Sequence, residues 1–335
     1  MTNVRKAAVL SLMTVFLWAV SNIFLRYCIL EYDCNQFAIA CSNILFSGLA
    51  LIAIGSKNIN IKEIVKNYQS WVFGALQIFR NLFMLMAFTY ISSTQANLLA
   101  NVEIIFSVLL AWMLFGRRPG RIDFVAMVFI FFGCFILVAD LPLETAMKTM
   151  LFVVLSALLN NFRTIFAEIH DDNKIELGVK ERLGTTGWIL FVSAITLMIA
   201  AVILGLLVCC LPETTVESLP FLKHVPAPME YIAPKNLLAG LVNGVFIYAA
   251  SMYCYLYAVS LSNSEYFMMF RSTQALFTYF VEAFAGALGL LPILAFTSTD
   301  WFAAITIILS SACMVLMRTS KGRRLQEAIY KTLKS

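Results

Sequence analysis

Apolar residues run along this chain in blocks of about twenty, separated by short polar connectors. A helix that crosses the hydrocarbon core needs about 20 mainly apolar residues. Ten blocks meet that need, at 7–27, 36–55, 70–90, 94–115, 121–140, 147–168, 185–211, 236–260, 264–290 and 299–318. Ile91–Ser93 and Ser260–Asn263 read as tight turns. Two connectors are longer: the charged His170–Gly184, and Pro212–Lys235, which carries Pro212, Pro220, Pro226, Pro228 and Pro234 and reads as an ordered or semi-extended loop. The pattern predicts an all-α integral membrane protein of about ten transmembrane helices.

Composition agrees. The 335 residues are 61% hydrophobic and 13% charged, with a mean hydropathy of +0.85. A soluble domain is about 45–50% apolar and about 25% charged, so lipid must solvate most of this surface. The N-terminal block lacks a small-residue cleavage site and is read as a retained first helix. The eight cysteines form no CxxC pair, and those inside apolar blocks behave as small hydrophobes, so no metal or disulfide is expected.

Lys and Arg then give an orientation. On the N-terminal side of the alternation the connectors and tail carry seventeen of them, against Lys148, Lys223 and Lys235 on the other. Basic loops stay cytoplasmic, so both termini are expected in the cytoplasm, in a bacterial inner (cell) membrane. The net charge of +5 is then a feature facing anionic lipid, not nucleic acid.

The two halves look alike at an offset of about 170 residues. Ser92-Ser93-Thr94-Gln95-Ala96 opens a helix reaching Gly116, and Ser260-Leu261-Ser262-Asn263-Ser264 opens one reaching Gly286 and Gly289. Trp18-Ala19-Val20-Ser21-Asn22 lines up with Ser156-Ala157-Leu158-Leu159-Asn160. Five helices is an odd number, so the second copy enters the membrane from the opposite side, as an inverted repeat. The expected units are residues 1–146, residues 147–318 and a basic cytoplasmic tail, 319–335, helical at Arg324–Leu333.

Leu17–Asn22 in helix 1 and the stretch from Thr94 to Val138, with Leu98-Leu99-Ala100-Asn101-Val102-Glu103, Leu109–Gly116 and Gly133, resemble the ten-helix EamA-type transporters of the drug/metabolite transporter superfamily. Ile104, Arg117 and Arg271–Gln274 depart from that family's usual residues. The resemblance implies a polar cavity lined by helices 1, 3, 4, 6, 8 and 9.

Charges inside spans cost about 2.5–3.5 kcal/mol each on insertion scales, so they face protein or water. Arg80, Glu103 and Arg271 are the deepest; Arg26, Glu168, Glu265 and Glu282 lie nearer helix ends, and Arg163 is in helix 6. Gln77, Arg80, Asn81, Met84 and Phe88 share one helical face, and Met268, Arg271, Gln274, Thr278 and Glu282 form a stripe on another. The candidate substrate-binding residues are Trp18, Asn22, Gln77, Arg80, Asn101, Glu103, Asn160, Arg163, Tyr255, Arg271 and Gln274. The plainer alternative is that these groups only fix the bundle, through interhelical hydrogen bonds and the ion pairs Arg80–Glu103 and Arg271 with Glu265 or Glu282.

These features point to secondary active transport of a small polar solute by alternating access: an amino-acid-like zwitterion, an organic anion or a nucleotide-type metabolite. Arginine would hold a carboxylate or phosphate, and Glu103 would meet an ammonium group or carry a coupling proton. No GxSxG, HExxH, Walker A or GxGxxG sequence is present, so no enzyme activity and no cofactor are expected. The competing readings are a flippase for lipid-linked substrates and a non-transporting channel or scaffold. The chain would act as a monomer or homodimer in the bilayer.

Overall fold

The computed structural model describes residues 3–56, 59–116, 118–173, 176–211, 225–262, 264–292 and 296–318. The basic tail at 319–335 and most of the proline-bearing loop lie outside them. The first half comprises α1 (Asn3–Tyr32), α2 (Gln36–Ile54), the short α3 (Ile61–Lys66), α4 (Tyr68–Ala87), α5 (Ser93–Leu99), α6 (Val102–Phe115) and α7 (Arg121–Ala139). The second comprises α8 (Leu143–Ile169), α9 (Val179–Cys210), a 3-10 turn at Pro228–Tyr231, α10 (Pro234–Asn243), a π-helical turn at Gly244–Tyr248, α11 (Ala249–Leu261), α12 (Ser264–Arg271), α13 (Gln274–Ala287) and α14 (Ser298–Arg318).

Among the described residues eight segments are long and apolar enough to cross a membrane. The expected ninth and tenth spans correspond to the interrupted α12–α13 and to α14. The protein is a multi-pass α-helical membrane protein. Its polarity is arranged for lipid: Phe124, Phe129, Phe131, Phe132 and Phe135 of α7 are exposed, while Asn43, Gln77, Asn160, Arg163, Gln274 and Glu282 are fully buried.

Hydrogen bonds define the two ends. At one, Lys6 reaches Tyr257, Ser56 N donates to Lys180 O, Ser70 contacts His170 and Ser264 N donates to Glu168. At the other, Asn35 N donates to Asn236, Ser93 N to Glu282 and Thr299 Oγ1 to Asp140. We call these the basic and the opposite end. α1 starts at the basic end, whereas α8 starts at the opposite end and finishes beside Ser70. The halves therefore run in opposite senses. The packing obeys the same exchange: α4 lies on α8 as α11 lies on α1, α4 on α9 as α10 on α2, and α6 on α8 as α13 on α1. α2 with α9, and α7 with α14, pair with their own counterparts.

Small residues bring α2 and α9 together. A Cβ on Gly48 would stand 2.7 Å from the backbone N of Phe191 and 2.9 Å from the carbonyl of Gly187. Such close approach is a usual route to helix association where lipid removes the hydrophobic drive.

The sequence pattern placed two continuous helices at 94–115 and 264–290; the structure breaks both. Asn101 N bonds to Leu98 O in a 3-10 step, and Asn101 Nδ2 takes the carbonyls of Asn97 (3.1 Å) and Leu98 (3.0 Å). About 170 residues on, Thr273 N bonds to Phe270 O, and Thr273 Oγ1 takes the same carbonyl at 2.7 Å. A side chain that competes for a backbone acceptor is an ordinary cause of such an interruption. Both broken helices end near left-handed glycines, Gly116 (φ 66°) and Gly289 (φ 73°), where a side chain would be strained. The following helices also start alike: Asp123 accepts from Gly120 N, and Asp300 from Thr297 N.

Candidate functional site

The two breaks face each other at the centre of the bundle, and an ion pair spans them. Arg271 is the last residue of α12; Glu103 lies in the first turn of α6. Each charge suits the helix end it occupies, since a carboxylate is favoured at an N-terminus and a cation at a C-terminus. Arg271 Nε stands 3.2 Å from Glu103 Oε2 and Nη2 is 3.3 Å from Oε1. Asn160 Nδ2 donates to Glu103 Oε2 at 2.7 Å, and Asn161 Nδ2 to the Glu103 carbonyl at 2.9 Å. Arg271 also bonds to Gln274, and with Asn22 approaches Asn97 Oδ1, at 3.5 and 3.4 Å.

Two further guanidiniums share this centre. Arg80 donates to Asn81 Oδ1 at 2.9 Å, and Arg163 donates to Gln77. All three arginines sit over the Trp18 ring, at 5.4 Å (Arg80), 5.0 Å (Arg163) and 5.7 Å (Arg271) from its centroid; Arg163 is also 4.3 Å from that of Tyr255. Aromatic faces attract cations, most strongly where water is excluded. Trp18 is thus the common floor on which three like charges are held. Buried atoms Nε and Nη2 of both Arg80 and Arg163 have no hydrogen-bond partner. Tyr248, presented by the π-helical turn, accepts from Gln77 and from Asn81 Nδ2 (2.9 Å) and fixes the groups that orient Arg163 and Arg80.

Toward the basic end an aromatic layer closes the centre. Trp18, Tyr255, Phe267 and Phe73 pack with ring centroids 4.8–6.4 Å apart. Toward the opposite end, a narrow cleft with room for about one water runs from Trp18 and Arg80 past Asn22 and Tyr248 to Leu25 and Phe88. Beyond it Glu282 pairs with Arg26 and accepts from Ser93 N (3.1 Å), Thr94 N (2.8 Å) and Thr94 Oγ1 (2.6 Å), tying α13 to the first turn of α5.

All eleven sequence-derived candidates are buried. Trp18, Gln77, Arg80, Glu103, Asn160, Arg163, Tyr255, Arg271 and Gln274 converge on the centre, and Asn22 lines the cleft. Asn101 spends its Nδ2 on the helix break, and its buried Oδ1 has no hydrogen-bond partner. The anticipated ion pairs are re-dealt: Glu103 pairs with Arg271 rather than with Arg80, and Glu282 pairs with Arg26; the Glu265 side chain lies outside the described residues. Arg182, counted as a loop cation, is buried at the start of α9, donating to Asn173 Oδ1 at 3.0 Å beneath Tyr257. Sequence reasoning missed Tyr248, because nothing in an apolar run announces a π-helical turn. Such turns recur at functional sites.

The elements that build this centre correspond to a known family. Residues 5–139 match the model of the EamA-like transporter family. Over α1 to α7 the chain is EamA-like. This accords with the resemblance read from Leu17–Asn22 and Thr94–Val138, and with the drug/metabolite transporter superfamily. The EamA-like segment supplies Trp18, Arg80 and Glu103, while Arg163 and Arg271 come from the remainder. No curated protein matches. Among solved structures 28 chains match. One, a crystal structure whose description names no activity, is 13% identical with a TM-score of 0.60, covering 93% of this chain and 97% of its own. It shares the fold.

Proposed function

We propose that this EamA-like protein is a secondary active transporter that moves a small polar solute by alternating access, with the Trp18 centre as its binding site. The observation that carries the reading is the set of buried, unpartnered guanidinium N–H groups on Arg80 and Arg163. A purely structural arginine uses its donors, because an unmet buried donor costs about 1–3 kcal/mol. Two broken helices that meet at mid-bundle with charged ends are the arrangement in which transporters bind solutes. Residues 1–146 and 147–318 are then the two inverted five-helix repeats, the basic end faces the cytoplasm of a bacterial cell, and Glu103 is the residue through which a proton would couple. The carrier works as a monomer or homodimer.

The test is uptake and counterflow in proteoliposomes across a panel of alanine, lactate, succinate, glycerol 3-phosphate and AMP. Charge-assisted hydrogen bonds are worth about 1.5–3 kcal/mol, so Arg80→Gln or Arg163→Gln should slow transport at low solute by roughly ten- to a hundredfold. Full rates in either monodisperse variant would remove these arginines from the site.

A further inference from the structure

We propose that the centre selects a short dianion, a dicarboxylate or a phosphate monoester, over a zwitterion or a monoanion. The inference rests on reading the Trp18 centre as the solute site, and it starts from charge. Arginine keeps its proton in proteins. Among the described residues the centre gathers three guanidiniums, Arg80, Arg163 and Arg271, around one carboxylate, Glu103. Glu103 is committed to Arg271 and Asn160, so it is not available to an ammonium group. The oxygens that meet Arg80 and Arg163 belong to Asn81 and Gln77 and are neutral. Two positive charges are left unmatched.

Geometry repeats the count. On both Arg80 and Arg163 the unpartnered atoms are Nε and Nη2. These form one side of the guanidinium fork, the side that takes a carboxylate or phosphate through two parallel hydrogen bonds. Two such edges meet at one aromatic ring, each matched to one anionic group or to two oxygens of a phosphate. The adjoining cleft is lined by Trp18, Asn22 and Arg80 but not by Arg163, and in this conformation it has room for about one water, so a short molecule needs less opening of the bundle than a nucleotide.

The full-length protein in detergent is titrated with succinate, glycerol 3-phosphate, lactate and alanine, reading thermal stabilisation and direct binding. At least one of the two dianions is expected to bind ten times or more tightly than lactate and alanine, and which of them does so separates dicarboxylate from phosphate recognition. Arg80→Gln and Arg163→Gln should each weaken it at least tenfold. A second measurement needs no variant. The second ionisation of a phosphate monoester falls near pH 6, so if glycerol 3-phosphate is the ligand, its affinity should drop about tenfold between pH 7.5 and 5. Equal or tighter binding of alanine or lactate, binding insensitive to both substitutions, or no binding by either dianion overturns the proposal. Dianion binding without any counterflow would keep the site and remove the transporter; counterflow of alanine or lactate alone would keep the transporter and overturn the dianion.

Discussion

Trp18 shows how one residue can set the character of a membrane protein's interior. Its ring holds three guanidiniums that would otherwise repel, with a single carboxylate among them. The residue most exposed to a test of stability is Glu103. Removing one partner of a buried pair leaves the other charge uncompensated, at a cost of about 3–5 kcal/mol. Glu103→Gln should therefore lower the thermal midpoint of the purified protein, and Glu103→Gln combined with Arg271→Met should recover most of the loss. A midpoint unmoved by the single change would mean that the pair carries no such weight. The sequence showed which charges are buried, because any charge in a twenty-residue apolar block stands out. It did not show who pairs with whom. Helical periodicity ranks faces within one helix, whereas pairing depends on how two helices cross.

At the scale of the element, the positions of the spans were legible and their ends fell within six residues, the widest gap being at the start of α9, since a run of lipid-soluble side chains is the strongest signal a sequence carries. The interruptions were not. Asn101 and Thr273 look like ordinary polar residues of a lining face, and only their bonds to carbonyls three and four positions back reveal them as joints. Asn101→Ala should cost about 1–2 kcal/mol, because it removes the side-chain bond to the buried Asn97 carbonyl, whereas Leu98 O keeps its bond from Asn101 N. Asn101 Nδ2 is held by the Asn97 and Leu98 carbonyls rather than by the arginines, so the substitution should leave solute affinity within a factor of about two in a binding titration. A tenfold loss of affinity at unchanged stability would instead place Asn101 in the site. The π-helical turn at Gly244–Tyr248 was equally silent, and with it the role of Tyr248 in holding Gln77 and Asn81.

For the whole molecule, the alternation of basic and non-basic connectors anticipated the two ends that hydrogen bonds now define. The exchange symmetry of the packing adds what charge alone does not, the partner of each helix. Single cysteines placed near Lys62 and Asp140, in a background lacking the native thiols, should label from opposite sides of sealed vesicles, the Lys62 position from the cytoplasmic face. Labelling of both from one side would undo the alternation.

The joints at Asn101 and Thr273 divide each broken span unequally: α5 and α12 have 7 and 8 residues, α6 and α13 have 14 each. At 1.5 Å per residue these are levers of about 10–12 Å and about 21 Å. Because the halves run in opposite senses, α6 and α12 flank one mouth and α5 and α13 the other, so each mouth has one short lever and one long. In the alternating access proposed above, a given swing at the two pivots would displace both mouths through comparable arcs, and neither side of the membrane would have the mechanical advantage.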